Sequence, residues 1–449
     1  MDKIRAKLES KALPSALLTV FLDAIGVAIL IPVYAALVLP GKFQIIPADW
    51  TIQQGYIMVG WLTGIYSLMT FLAAPVLGQL SDKYGRKPIL GVSLLGTALG
   101  YALFAVGIIT KNIPLLFLSR SIDGITGGNI AVARAVISDV SAPEHRTRNF
   151  GLIGAMFGIG FVLGPYLGGR LSSAGVPFIN AFGIHALTTP HWFSPAVPFW
   201  FATIVAFLNA MLVFFTLPET LKEKIHARLR WTQSFRNIRA GLRMPRVKTL
   251  LPVNFLFSAG FTFFTTFFGF SMIKRIPGFT PANVADYFSL FGIWIAVFQA
   301  ILIPMLAKRF KNYQVLRVSM FGVALSLPAV LWAHTTEQAI LVSPLIPLFV
   351  AMTMANSIAL LSSVADSRQQ GEVMGVNSSF EALAQGIPAV LSGYIASIAV
   401  GLPTLVGSTL VALAGIMFIL TFKAKMVQHK PVMESAELEE EIGEVAPIH

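Results

Sequence analysis

The sequence predicts an all-α integral membrane protein, with twelve transmembrane helices in two six-helix halves and both termini in the cytoplasm. Three observations carry that prediction. Hydrophobic residues make up 55% of the chain and charged ones only 12%, whereas a soluble domain carries about a quarter charged residues. The apolar residues fall in blocks of about twenty, the length a helix needs to cross about 30 Å of hydrocarbon. Lysine and arginine crowd into alternate loops between those blocks, the charge pattern of a chain threaded repeatedly through a membrane. Lipid offers no partner for a backbone amide, so blocks of this length must cross as helices.

The blocks place spans at 13–39, 55–77, 89–109, 112–134, 150–170, 197–217, 249–272, 284–306, 314–333, 339–364, 373–399 and 402–422. The first is longer than the apolar core of a signal peptide and lacks an Ala-x-Ala cleavage site, so it is read as a retained helix. Basic residues cluster in the N-terminus (Lys3, Arg5, Lys7, Lys11), after span two (Lys83, Arg86, Lys87), after span four (Arg146, Arg148), after span eight (Lys308, Arg309, Lys311) and after span twelve (Lys423, Lys425). The positive-inside rule puts all of these on the cytoplasmic side. The net charge of +12 therefore records topology and is not read as nucleic-acid binding. Cysteine is absent, which removes disulfides, thiolate metal sites and cysteine nucleophiles together.

Four segments follow: a half at 1–217, a linker at 218–248, a second half at 249–422 and a tail at 423–449. The linker carries Lys222, Lys224, Arg228, Arg230, Arg236, Arg239, Arg243, Arg246 and Lys248 against Glu219 and Glu223. It is too polar to span and reads as a cytoplasmic connection with an amphipathic helix on the membrane surface. The tail turns acidic (Glu434, Glu437, Glu439, Glu440, Glu441, Glu444) and reads as a solvated end. The two halves repeat weakly. Ser138-x-Val140 and Gly151 match Ser362-x-Val364 and Gly375 at one offset, Gly169 falls on Gly393, and residues 78–83 fall near 304–309. A parallel repeat of this kind suits a substrate site between two rocking halves.

The loop after span two reads Gly78-Gln79-Leu80-Ser81-Asp82-Lys83-Tyr84-Gly85-Arg86-Lys87-Pro88. A short turn must join two adjacent helices here, so Gly78 is expected to permit close packing and Gly85 to take positive φ. Asp82 can pair with Arg86 or cap a helix N-terminus. The run resembles G-x-L-a-D-r-x-G-r-k of the major facilitator superfamily. That resemblance implies a cytoplasmic latch, formed by Gly78, Asp82, Gly85, Arg86 and Lys87, that holds the outward-facing state. Span four carries Arg120, Asp123, Gly124, Thr126, Gly127, Gly128 and Asn129. Arg120 and Asp123 stand three apart and share a helix face. Arg120-x-x-x-Gly124 resembles the family's R-x-x-q-G-x-g, with Asp123 where glutamine is usual, so Asp123 is either a proton-coupling acid or simply the partner of Arg120. A bland alternative leaves Arg120 snorkelling at the interface.

Span five contains Gly160, Gly164, Pro165, Gly168 and Gly169. Glycines at four-residue spacing let another helix approach, and Pro165 bends the span. The run resembles g-x-x-x-G-P-x-x-G-G of the superfamily's antiporter branch, which implies export over uptake. Span one carries a lone acid, Asp23, with Pro32 soon after, and resembles the first helix of tetracycline and multidrug exporters. Asp23 is a candidate proton carrier, or a packing residue neutralised by an arginine such as Arg120. In span eleven Gln370-Gly371-Glu372-Val373-Met374-Gly375 resembles the family's Q-G-x-x-x-G, and Glu381 follows inside. Glu381 is a second protonation site, a ligand for a cationic substrate or a packing residue. Asn254, Gln299 and Gln385 are candidate substrate contacts, although polar groups of this kind more often bond helix to helix. The phenylalanines of 261–270 would offer aromatic walls, but such residues usually face lipid.

The resemblance implies a proton-coupled efflux antiporter for a small amphipathic or drug-like molecule, working by alternating access in the bacterial inner membrane. Its partners are lipid, protons and cargo, without nucleic acid, cofactor or metal, and it is expected to act as a monomer. No G-x-x-x-x-G-K-[ST] loop is present to bind ATP, and no H-E-x-x-H or G-x-S-x-G run suggests an enzyme. The rival reading is a proton-coupled uptake symporter for a metabolite or siderophore on the same scaffold, against which the span-five glycines argue.

Overall fold

The computed structural model describes residues 2–141, 143–181, 184–221, 224, 229–244, 247–364 and 370–422. The basic residues Lys222, Arg228 and Arg246, Glu223 and the whole acidic tail lie outside them, as do the side chains of Gln370, Gly371 and Glu372. The chain runs through α1 (Asp2–Ala28), α2 (Leu30–Val38), α3 (Ile52–Tyr84), α4 (Arg86–Ile109), α5 (Ile113–Thr126), α6 (Asn129–Val140), α7 (Pro143–Ser172) and α8 (Val197–Thr216). A short helix α9 (Gln233–Arg243) precedes α10 (Leu250–Arg275), α11 (Pro281–Val297), a π-turn at Phe298–Leu302 and α12 (Ile303–Ala307). Then come α13 (Asn312–Ala329), α14 (Thr336–Val342), α15 (Leu345–Val364), α16 (Gln370–Ile398) and α17 (Leu402–Thr421).

Among the described residues, ten helical stretches are long and apolar enough to cross a membrane. Two further stretches, α5 with α6 and α16, are as long but more polar, for they hold Arg120, Asp123, Arg134 and Glu381. Helix α1 begins well before the apolar block, because the Lys, Glu and Leu residues ahead of Leu13 are good helix formers. The segment 171–196, between the fifth and sixth apolar blocks, contains an antiparallel hairpin of β1 (Pro177–Ala181) and β2 (Ile184–Thr188), with Ile179 opposite Ala186. The description all-α therefore needs that one correction. Five residues cannot cross a bilayer, so nothing in a search for twenty-residue apolar blocks signals the pair.

Several helix starts follow local chemistry. Thr51 accepts from the Gln54 amide while the Gln54 side chain accepts from the Thr51 amide, and Thr280 and Asn283 repeat this box at α11. Each box satisfies amide donors that a helix N-terminus leaves free. Buried apolar residues form one cluster almost wholly within 247–422 and another within 12–217. A third joins the first part of the chain to Phe267, Phe270, Ala396 and Val400.

Those joins lie at the end of the bundle away from the 78–88 loop. Tyr56 of α3 meets the rings of Phe267 and Phe270 edge-on, at 5.9 and 5.4 Å between centroids. An added Cβ on Gly60 would stand 2.9 Å from Gly393 Cα, and one on Gly169 would stand 2.2 Å from Ala285 Cβ. Gly169 and Gly393, paired by the sequence repeat, thus occupy matching positions where the two halves touch. Arg170 at the end of α7 donates to Asp286 of α11 at 2.7 Å. The phenylalanines at 263, 264, 267, 268 and 270 are buried, contrary to the lipid-facing expectation, because they fill the space between helices.

Candidate functional site

The first polar cluster is built around the α5–α6 break. The chain turns at Gly127 and Gly128, and α3 lies so close that a Cβ on Gly124 would stand 2.4 Å from Tyr66 O and one on Gly128 2.7 Å from Ala74 Cα. Arg120 is 1% exposed and pairs with Asp123. Its guanidinium lies over the rings of Tyr66 at 4.7 Å and Phe104 at 5.7 Å. The snorkelling alternative fails, since a side chain reaching the interface is not enclosed in this way. The break also sets Asn129 at the start of α6, where its Nδ2 donates to Asp23 Oδ1 at 3.2 Å. Asn129, and not Arg120, is therefore the partner of Asp23.

Asp23 is 6% exposed, and its Oδ2 has no hydrogen-bond partner among the described residues. A cavity of about 10 Å³ lined in part by Asp23, Thr97, Tyr101 and Asn209 abuts it, close to the room one water needs. Gly26 is what admits Tyr101 here, because a Cβ would stand 1.7 Å from the Tyr101 hydroxyl. A larger groove of about 330 Å³ between α4 and α8 is lined by Leu95, Leu99, Ile204, Phe207 and other apolar residues. It holds none of the candidate site residues and reads as a lipid-facing crevice.

The glycine face of α7 seats α1 and α2. Added Cβ atoms on Gly160, Gly164 and Gly168 would stand 2.5 Å from Ala24 Cβ, 2.7 Å from Ala28 Cβ and 2.3 Å from Ile29 O. Helix α7 continues through Pro165 without interruption. The close approach holds the stretch that carries Asp23 against α7, as the spacing led one to expect.

The 78–88 loop is tighter than expected, because α3 continues to Tyr84 and α4 begins at Arg86. Gly85 alone joins them, at φ +114°. A side chain there would be strained by the backbone and would also stand 2.4 Å from Glu219 Oε2. Asp82 pairs with Arg86 at 2.5 Å, and Arg86 Nε reaches Asp139 at 3.0 Å. Capping falls to Glu219, whose oxygens accept from the Arg86 amide at 3.0 Å and the Lys87 amide at 3.2 Å. Glu219 and Asp139 are partners of this loop that the sequence reading missed. The only signal was an acid standing among the bases after span six. The close packing expected at Gly78 is not found among the described residues, none of which lies within 4 Å of an added Cβ.

A second polar chain crosses the later helices. Ser357 donates to Asn254 Oδ1, Asn254 Nδ2 donates to Asn377 Oδ1 at 3.2 Å, and Asn377 Nδ2 donates to Glu381 Oε1 at 2.8 Å. Arg134 of α6 is an electrostatic neighbour of Glu381 and donates to Ser378 Oγ at 2.9 Å. Glu381 thus faces the first half of the chain. Gln299, within the π-turn, and Gln385 stand exposed and outside this chain of bonds. Asn377, Ser357 and Arg134 escaped the sequence reading, since a lone Asn or Ser in an apolar run carries no motif.

The Major Facilitator Superfamily profile matches residues 16–389. The chain is 32% identical over 374 residues to the Escherichia coli class C tetracycline resistance protein, covering 80% of this chain and 82% of that one. It is 30% identical over 383 residues to the class G tetracycline resistance protein of Vibrio anguillarum, covering 81% and 85%. Among solved structures it resembles the human organic anion transporter MFSD10 (TETRAN), with TM-score 0.67 and 22% identity over 91% of this chain and 99% of that one. It also resembles a D-xylose-proton symporter, with TM-score 0.69 and 15% identity over 94% and 98%. A profile covering most of the chain, relatives matched over most of their length, and paired helical halves meeting at Gly169 and Gly393 agree: the chain belongs to the Major Facilitator Superfamily.

Proposed function

We propose that this protein is a secondary transporter of the bacterial inner membrane that expels a small amphipathic molecule in exchange for protons, by alternating access. The observation that carries the reading is Asp23. A carboxylate enclosed in the first span, with one oxygen bonded to Asn129 and the other free beside a water-sized cavity, is costly to keep unless it works. Its helix is held by the α7 glycine face that marks the antiporter branch. The similarity to tetracycline resistance proteins supports a drug-like cargo and outward transport, because a transporter serves resistance by removing the drug.

Helices α5 with α6, and α16, complete twelve spans on this reading, their buried charges being tolerated for function. The division is 1–217, 218–248, 249–422 and 423–449, with both termini cytoplasmic, and the monomer is the working unit. The end sealed by Tyr56, Phe267 and Phe270 is then the outer one. Asp123 and Arg120 share the proton-coupling role with Asp23, Glu381 serves either as a second proton site or as a ligand for cationic cargo, and Asn254, Gln299 and Gln385 are the candidate cargo contacts.

The test is a panel of candidate substrates offered to oriented proteoliposomes carrying a trapped pH dye. Substrate should move against protons, and Asp23→Asn should reduce the exchange to the level of protein-free vesicles while the protein still inserts. Substrate and protons moving in the same direction would instead establish the uptake symporter.

A further inference from the structure

Helix α9 has two faces of different chemistry. One is bound to the bundle. Ser234 Oγ donates to Phe71 O of α3 at 2.5 Å, Asn237 Nδ2 donates to Ser379 Oγ of α16 at 3.2 Å, and a Cβ on Gly241 would stand 2.5 Å from Val376. Arg230, just ahead of the helix, exchanges hydrogen bonds with the Gln79 side chain. These bonds fix the rotation of α9 and leave the opposite face uncovered by any other described residue. At about 100° per residue, Phe235 and Leu242 fall on one edge of that face, with Arg239, Arg243 and Arg236 beside them. All five are exposed, and Trp231 next to the helix is 72% exposed.

The depth of α9 follows from helix geometry. Phe71, which also meets Phe235 edge-on at 5.3 Å, lies about 19 residues beyond Ile52, or about 29 Å of helix rise. That is about the thickness of the hydrocarbon layer. Helix α3 is 33 residues long and continues well past this level, so α9 lies where acyl chains give way to headgroups. A free edge of Trp, Phe and Leu beside a row of arginines is the composition that rests in such a layer, the rings in the acyl boundary and the guanidiniums among phosphates. The occupant must be anionic, because the exposed part of α9 holds three arginines and no acid.

We infer that the exposed face of α9 is a docking surface for anionic phospholipid headgroups, gripped by Arg236, Arg239 and Arg243 and anchored by Trp231, Phe235 and Leu242. The inference needs only that the chain spans a membrane, and it stands whatever the cargo or coupling ion.

Its test uses the full-length protein in vesicles of phosphatidylcholine with phosphatidylglycerol, one or the other lipid carrying bromine on its acyl chains. The Trp231 signal is the emission lost in Trp231→Phe. Brominated phosphatidylglycerol should quench that signal several-fold more than brominated phosphatidylcholine at equal mole fraction. About 1 M salt, which shortens the screening length to about 3 Å, should abolish the preference. A triple Arg236→Gln/Arg239→Gln/Arg243→Gln variant should lose it, and the corresponding triple lysine variant should keep it. Equal quenching by both lipids, quenching by neither, or a preference that survives both salt and the glutamine variant would overturn the inference. The salt arm decides the matter on the parent protein if the glutamine variant fails to fold.

Discussion

At the scale of single residues, the buried polar groups come in pairs whose members depend on each other. Arg120 and Asp123 are almost wholly enclosed and bonded together, so removing one leaves an uncompensated charge. Arg120→Ala should lower stability by about 3–5 kcal/mol, whereas Arg120→Met combined with Asp123→Leu should return close to the parent. Thermal unfolding of the three proteins in detergent checks this, and a double variant no more stable than Arg120→Ala would mean that the pair is not a unit. Glu381 calls for a different measurement. It ends the bonded chain from Ser357 and faces Arg134, a place suited either to a proton or to a cationic cargo. Glu381→Gln should selectively weaken cationic cargo by about tenfold or more if the carboxylate is a ligand, since a buried charge contributes several kcal/mol at low effective dielectric. A flattened pH dependence for every cargo would assign it to the proton, and unchanged affinity and pH profile would leave it as packing.

At the scale of helices, glycine decides where elements approach, and position decides which glycine matters. Gly164 lies against Ala28 and the Ile25 carbonyl, while Gly158, six residues earlier on the same helix, has no described residue within 4 Å of an added Cβ. Gly164→Val should therefore cost about 1–3 kcal/mol by overpacking and separate α7 from α1, whereas Gly158→Ala should leave stability within about 1 kcal/mol. Unfolding midpoints of the two variants give the comparison. If they respond alike, the α7–α1 seam is not what the glycines serve. The loop at Gly85 follows the same logic in one residue: its φ of +114° and the nearness of Glu219 leave room for no side chain.

At the scale of the whole molecule, closure of the far end rests on few groups. The ion pair of Arg170 with Asp286 joins the two halves beside the seam of Gly169 and Ala285. Asp286 is 30% exposed, so the pair contributes about 1 kcal/mol. Arg170→Gln should accordingly shift the balance between closed and open far ends by about fivefold. The chain has no cysteine, so Ala174→Cys with Lys274→Cys provides clean sites for spin labels. A longer, broader distance distribution in the glutamine background is expected, and an unchanged one would assign closure to the ring contacts of Tyr56 and to the glycine seams.

The membrane-spanning architecture, the 78–88 loop, the α7 glycine face and the placing of Asp23 inside an apolar span were legible in the amino-acid sequence. Each rests on composition, on spacing along one helix, or on a motif read in order, and those are properties of neighbours in the chain. The partners were not. That Asn129 rather than Arg120 meets Asp23, that Glu219 caps α4 from more than a hundred residues away, and that Asn254 reaches Glu381 through Asn377 all depend on how separate helices cross. A hydrogen bond between helices is set by a few ångströms of tertiary placement, which no periodicity encodes. The same reason hid the burial of the phenylalanines of α10, since a helix apolar all round gives no sign of which side meets protein and which meets lipid.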